Sequence, residues 1–543
     1  MKKYLYILIM AGAAMMLAAC NDYLDVVPDN RTEIDNVDKV GMLLGGSYPY
    51  YNYAEMLNPR VDNVTDKGEG TSSGIDTNRD SFFWRDVQNQ TTQCTPTQFW
   101  VGSWASIAGA NGALDAVAEL EKDPTADQQL LSYYKGEGLT LRAYNHFLMA
   151  CIFCKFYDLD NAGNNSTNAG LPYVKEQETE IHRQFDRGTV EQLWDNIRTD
   201  LEEGLSLIGP DNTYSVPKYH FNQYAANTFA SRYYLYHGDF AKVVETASKV
   251  VPQPTVIPGA NVPANDVAAV FVTNNFHPWT TTYNTMTSST DIKLGYNSTS
   301  APSNLLLADG ASYIGMYTNS WRYATSSPDC NRTVSAANPT GAAFAYKIFH
   351  SGDYNYYVPK FYYYFKRTTI NASTGVYHTE YIYFRMEEAL INRAEAYARM
   401  DKYDEAIADL NLFCRTRIVN YNETTHALTL AKIASFYAAT VRDGNFYMNK
   451  YNAFGSQGWS DEKKALVHFI LFCRQAEYLH ESLRYWDMVR YKIECTHETH
   501  PSVGSRSNTL YPGDDRWVLQ IPETVTLAGI EQNPRTNLLS PEW

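Results

Sequence analysis

The sequence predicts a mainly α-helical protein, a tetratricopeptide-like scaffold of repeat helices with a large irregular, loop-rich insertion carrying short strands. Three observations predict it. Residues 392–410, NRAEAYARMDKYDEAIADL, set Ala394, Tyr397, Tyr403, Ala406, Ile407 and Leu410 at the spacing of a tetratricopeptide-type helix pair. Ala394 lets the first helix approach its partner, Tyr397 fills the groove, Lys402 falls in the turn, and Ala406 lets the second helix lie flat. A weaker copy, SRYYLYHGDFAKVVETA, repeats that order with Ser231, Tyr234, Gly238, Phe240, Val243 and Ala247. Helical periodicity then stops, and residues 252–365 are rich in Asn, Thr, Ser and Gly with short apolar runs. Helical-repeat scaffolds offer extended surfaces suited to binding.

The first twenty residues stand apart from that scaffold. Lys2 and Lys3 precede an apolar run, 4–16, that is too short to span a bilayer. Leu17-Ala18-Ala19-Cys20 follows, small residues ending in cysteine, which is the lipoprotein form of a signal peptide. Residues 1–19 are then removed, and the Cys20 thiol takes the lipid. An ordinary secretory signal beside a coincidental cysteine is the alternative. Acyl chains on Cys20 would anchor the protein at ~0.8 kcal/mol per buried methylene. The expected divisions are 1–19 signal peptide, 20–251 N-terminal helical region, 252–365 aromatic-rich insertion and 366–543 C-terminal region.

Composition narrows the partners. A chain of 543 residues can bury a large core. Its formal charge is −15, and loss of Lys2 and Lys3 makes it more negative, which argues against nucleic acid. No later stretch reaches eighteen consecutive apolar residues. Eight scattered cysteines do not make a disulfide framework. Cys151 and Cys154 have CxxC spacing but lie inside the apolar helical run HFLMACIFCKFY, so they read as core thiols. The 43 tyrosines and 10 tryptophans suit either a wet helical core or a surface that stacks on sugars.

Along the chain, 21–30 reads as an extended tether and 35–44 as a short amphipathic helix. Residues 45–98 are rich in turns and hold Tyr48, Tyr50, Tyr51 and Tyr53, then Phe82, Phe83 and Trp84. That last triplet is either a hydrophobic plug or an exposed platform. Helices are expected over 99–120, 130–157 and 189–208, with Arg142 on the second among apolar neighbours, where a structural ion pair fits best. Asp158-Leu159-Asp160-Asn161-Ala162-Gly163 lacks the ligands of a calcium loop. Short strands are expected over 312–317 and 360–365, and the last long helical region over 461–493.

Several stretches resemble one family. Cys20-Asn21-Asp22-Tyr23-Leu24-Asp25 is similar to the mature N-terminus of SusD/RagB surface lipoproteins, and 104–114 and 136–157 resemble two of their helices. Residues 386–417 resemble their alanine-rich repeat. The stretch 475–490, QAEYLHESLRYWDMVR, resembles their signature helix, with Glu477, Glu481, Arg484, Tyr485, Trp486, Asp487 and Arg490 in place. Ile521-Pro522 and Gln532-Asn533-Pro534 complete the likeness. Ser482 stands where the family often has glycine, and Cys473 where it often has glutamate. On the residues alone, Glu481, Arg484, Asp487 and Arg490 read as a lattice of i, i+3 pairs along one helix.

The resemblance implies a SusD-like α-α superhelix on the outside of the outer membrane, anchored through Cys20. It implies a glycan ligand, delivered to a SusC-like TonB-dependent transporter that the protein covers as a lid. The same kind of lid with a peptide cargo, or a lipid-anchored glycoside hydrolase, are the alternatives. No motif of the family fixes the residues that touch ligand.

Enzyme motifs are weak. His497-Glu498-Thr499-His500 does not have HExxH spacing, and no GxSxG or Walker-type loop occurs. Glycosidase carboxylates ~5–10 Å apart need no fixed sequence spacing, so acidic residues alone signify nothing. No catalytic residue, metal or cofactor is expected. For a sugar-stacking surface the candidates in loop-like context are Trp84, Trp279, Tyr296, Tyr317 and Trp321, each weighed against a role as a buried loop anchor.

Overall fold

The computed structural model describes residues 34–536 apart from 73, 89, 179, 181–182 and 440–457. Cys20, the signal peptide and the tether lie outside the described residues. Among the described residues, no helix is long and apolar enough to cross a membrane.

The N-terminal helices are α1 (Val37–Gly45), α2 (Pro96–Leu120), α3 (Gln128–Phe153) and α4 (Val190–Leu207). Each begins where a side chain accepts from an otherwise orphaned backbone N–H: Asn36, Thr95, Asp127 and Thr189. Thr189 and Gln192 form a full capping box. Arg142 on α3 bears out its reading as a structural ion pair. Its Nε donates to Asp200 Oδ2 of α4 at 2.6 Å, and its Nη1 donates to Asn111 Oδ1 of α2 at 3.0 Å. Cys151 and Cys154 are buried free thiols.

Both repeat pairs are present. The weaker motif forms α5 (Gln223–His237) and α6 (Phe240–Ser248), the stronger one α7 (Met386–Arg399) and α8 (Tyr403–Arg415). Helix α7 packs against α8, α6 and α5. Ser231 of α5 accepts from Asn392 of α7 at 2.9 Å, so the small residue at this position also makes a buried hydrogen bond. Arg232 of α5 grips Glu388 of α7, and Arg393 of α7 grips Asp409 of α8, both through two hydrogen bonds.

The insertion does not stand off as an appendage. Its strand β1 (Asn304–Ala311) and the strand β2 (Tyr363–Arg367) both pair antiparallel with β3 (Gly375–Arg385), giving the order β1-β3-β2. The expected boundary at 365 therefore falls inside β2. The expected strand over 312–317 is mostly the helix Ile314–Ser320. The expected helical region 461–493 is made of two helices, α9 (Asp461–Glu477) and α10 (Leu483–Arg490). The break falls where His480 (φ 75) and Ser482 (φ 68) take the left-handed backbone, which L side chains resist and glycine accepts. This corrects the single-helix lattice. Of Glu481, Arg484, Asp487 and Arg490, only the last two form an i, i+3 pair, whereas Glu477 and Glu481 bind Arg385, and Arg484 binds Asp62.

A second buried group is Glu395 of α7, which accepts from Arg490 Nη1 at 2.6 Å and from Tyr491 Oη at 2.8 Å. Burial opposes its charge, but the Arg490 guanidinium prevails and holds its carboxyl down at about 2, from an ordinary 4.5. A carboxyl depressed on folding stabilises in full above its unfolded value and loses that contribution as pH falls through the folded one. The window here is pH 4.5 down to about 2. Urea unfolding across that window is expected to show falling stability. Glu395→Gln should flatten part of the slope and lower stability at pH 7 by on the order of 3 kcal/mol. An unchanged slope in the variant would remove Glu395 from the acid response.

Candidate functional site

The five aromatic residues expected at a sugar-stacking surface are all buried, between 0% and 3% exposed. Trp84 and Phe82 sandwich the His497 ring, with centroids 4.4 Å and 4.3 Å away and nearly parallel planes. Trp279 is packed by Tyr283, Tyr296 and Tyr346. Tyr296 stacks on His277 and donates to Glu481 Oε1 at 2.9 Å. Tyr317 lies edge-on to Trp321, and the indole of Trp321 is covered by Gly74, where a Cβ would sit 2.8 Å from the ring. This overturns their placement on an open surface. The turn-rich loops fold back over their largest rings, because water is excluded most effectively by the most apolar area.

A cluster of exposed aromatic residues lies instead on the β1-β3-β2 sheet. Directly paired residues of an antiparallel ladder share a face. Asp309 pairs with Glu380, and His378 pairs with Tyr364, so β1, β3 and β2 each contribute to one face. Lys366 lies two residues beyond Tyr364 on β2, hence on the same side. Tyr364 Oη reaches across the middle strand and donates to Asp309 Oδ1 at 2.8 Å. Lys366 Nζ sits 3.3 Å from Asp309 Oδ2, and His378 Nδ1 lies 3.1 Å from Asp309 Oδ1. The other ring nitrogen of His378 is 3.3 Å from Tyr50 Oη.

Two further tyrosines border the face. Tyr50 is held against β1, where the Ala311 N–H donates to its carbonyl at 2.8 Å. Gly310 makes that approach possible, since a Cβ there would lie 2.5 Å from the Tyr50 carbonyl oxygen. Tyr219 ends the turn Pro217–Tyr219, which packs on β1. Tyr50, Tyr219, Tyr362 and Tyr364 are between 36% and 43% exposed. Partial burial, then the nearby Glu380 and Asp309 carboxylates, raise the Tyr219 hydroxyl above its ordinary value. Burial and Asp309 do the same for Tyr364. These hydroxyls stay protonated and donate. A cavity of about 310 Å³, lined in part by Val216, Lys218, Tyr224 and Leu305, opens beside the Tyr219 turn.

The arrangement supplies what a sugar ring demands. Half-exposed ring faces can cover C–H groups, and carboxylates between them can accept from hydroxyls. The sequence signal for it was the alternation Tyr362, Tyr364, Lys366 within the aromatic run 354–365, legible only with β3 as partner. His497 and His500 do not converge. His497 is enclosed by rings and bonds to backbone carbonyls of Val61 and Phe82, while His500 turns to Ser502.

A helical-repeat scaffold with an open aromatic and carboxylate face is the class of protein these features define. A family model described as SusD-like, starch-binding and associating with the outer membrane matches residues 22–235, and the SusD family model (SusD/RagB) matches residues 279–523. The chain belongs to the SusD/RagB family. Its fold is similar to that of a SusD superfamily protein from Bacteroides vulgatus, at 17% identity and TM-score 0.61, covering 92% of this chain and 99% of that one. It is also similar to a SusD-like carbohydrate binding protein from Bacteroides vulgatus, at 15% identity and TM-score 0.57, over 91% and 96% of the two chains. A SusD superfamily protein from Bacteroides thetaiotaomicron matches at 17% identity and TM-score 0.58, over 92% and 100%. No curated protein matches the sequence.

Gly310→Ala is expected to push the Tyr50 segment off β1 and cost about 1–3 kcal/mol, as overpacking of a filled site does. Denaturant titration checks it. An unchanged midpoint would mean that the segment can yield freely.

Proposed function

We propose that this protein is a surface-exposed lipoprotein of the outer membrane that binds an oligo- or polysaccharide. On this reading it is anchored through Cys20 and delivers glycan to a partner SusC-like TonB-dependent transporter as its extracellular lid. The single observation that carries glycan binding is the sheet face on which Tyr50, Tyr219, Tyr362 and Tyr364 surround Asp309 and Glu380. Membership of the SusD/RagB family supports it, as do a family model described as starch-binding and a fold neighbour described as carbohydrate binding. The ligand is held and released, not converted, so no catalytic residue is assigned.

Affinity electrophoresis of residues 21–543 against a panel of polysaccharides tests the reading. At least one polymer is expected to retard the protein. Tyr364→Ala and Tyr219→Ala should each weaken that retention about tenfold, equivalent to about 1.4 kcal/mol. Trp84→Ala and Trp321→Ala should instead lower stability by about 3–5 kcal/mol, as expected of buried rings. Retention by no polymer would refute glycan binding, and a discrete oligopeptide ligand would redirect the assignment to peptide cargo.

The anchor has its own test. Cys20→Ser is expected to move the protein out of the membrane fraction of the producing cell and to abolish incorporation of labelled palmitate. Persistence of both would remove Cys20 as the lipid site.

A further inference from the structure

The charges on the tyrosine face are unbalanced. Asp309 and Glu380 stand side by side on adjacent strands, in register, where like charges repel. Asp309 is compensated by Tyr364, His378 and Lys366. Glu380 is not compensated in that way. Its Oε1 is buried with no hydrogen-bond partner among the described residues, and the nearby Tyr219 hydroxyl brings no charge. Burial and the Asp309 charge accordingly raise the Glu380 carboxyl above its ordinary value. The one lysine of the constellation, Lys366, is already turned to Asp309.

We infer that this face selects uncharged glycans and turns away those that carry uronate, sulfate or other anionic groups. The inference rests on the reading of the face as the glycan surface and adds the ligand's chemical class. The hydroxyl of Tyr364 is spent on Asp309, and that of Tyr219 is turned to Glu380. What the face offers a ligand is therefore ring faces, the Tyr362 hydroxyl and the oxygens of the part-exposed Asp309 carboxylate, with Glu380 adding its charge from below, its Oε1 being buried. A neutral pyranose brings C–H groups for the rings and hydroxyl donors for the acceptors. An anionic sugar places acceptors against acceptors and meets charge of its own sign. At contact distance these groups lie inside the Debye length of about 8 Å, so physiological salt does not erase the repulsion. The chain's formal charge of −15 works in the same direction on approach.

The test uses amylopectin, xyloglucan and galactomannan, each with its carboxymethyl and its hydroxyethyl derivative, the latter adding bulk without charge. A neutral polymer that retains the wild-type protein is expected to lose at least tenfold in affinity on carboxymethylation and much less on hydroxyethylation. In 0.5 M NaCl the gap should narrow severalfold. In Asp309→Asn/Glu380→Gln it should close to about twofold. The salt series on the wild-type protein keeps the test decisive should that variant fold poorly. Equal or tighter retention by the carboxymethyl polymer, abolished by Tyr364→Ala, would overturn the charge selection and leave the glycan surface standing. Retention by none of the polymers, neutral or charged, would sink both.

Discussion

Burying Glu477 at the end of α9 is costly in free energy, because an isolated carboxylate leaves water only at a penalty of several kcal/mol. Its charge is offset by Arg385 Nη1 at 2.6 Å and Arg417 Nε at 2.7 Å, with Tyr346 Oη donating at 2.5 Å. Arg385 also holds Glu481, which accepts from Lys360 Nζ at 2.7 Å and Tyr296 Oη at 2.9 Å. Arg417 extends the lattice to Glu387 at the start of α7. One connected set of charges thus ties α9, the break after it, the sheet, the insertion and the strong repeat pair. Removing Arg385, which both Glu477 and Glu481 share, would leave the buried carboxylates under-compensated, so these elements are coupled in stability.

The same lattice explains where the aromatic residues of the insertion went. The Arg385 guanidinium lies over Tyr296 and Tyr478, with centroids 5.3 Å and 4.5 Å away, and Arg417 lies over Tyr346 and Phe413 at 5.8 Å and 5.1 Å. Guanidinium groups removed from water are stabilised by ring faces as well as by carboxylates. Much of the tyrosine excess that suited a sugar-binding surface is used to desolvate and cradle ion pairs. A wet core and a stacking surface were both compatible with the composition; the structure buries many of the rings beside charged groups and leaves a smaller set of tyrosines half-exposed on the sheet.

What the sequence made legible was whatever repeats locally. The helix pairs at 231–247 and 392–410 follow from small and aromatic residues at fixed spacing, and Arg142 among apolar neighbours asked for a partner that Asp200 supplies. The break at His480 and Ser482 was hidden, because positive φ at non-glycine residues leaves no periodic trace. The proposed site was hidden for a different reason. Loop-like context favoured Trp84, Trp279, Tyr296, Tyr317 and Trp321, yet large rings gain most from burial and so were drawn inward. Tyr364 joins Asp309 only through β3, 55 positions apart along the chain, and no local window contains that pairing.

The sheet also connects the buried lattice to the open face. Strand β3 carries Glu380 and the buried His378 on the side of the tyrosine face, and its last residue, Arg385, is the hub of the buried charges. Because β3 is pinned at that inner end, the residues further out along it stand at fixed pleat positions. Tyr364 is fixed again by its bond across the middle strand to Asp309, and Tyr50 by its carbonyl's place against Gly310. A ligand meeting rings already oriented has less side-chain freedom to remove, a saving of about 0.5–1.5 kcal/mol for each side chain held beforehand. Glycan contacts are individually weak, so this pre-ordering is where a shallow, solvent-facing surface can gain affinity. A face built on strands rather than on loop tips provides that order without enclosing the ligand, which suits the proposed capture of a polymer from one side.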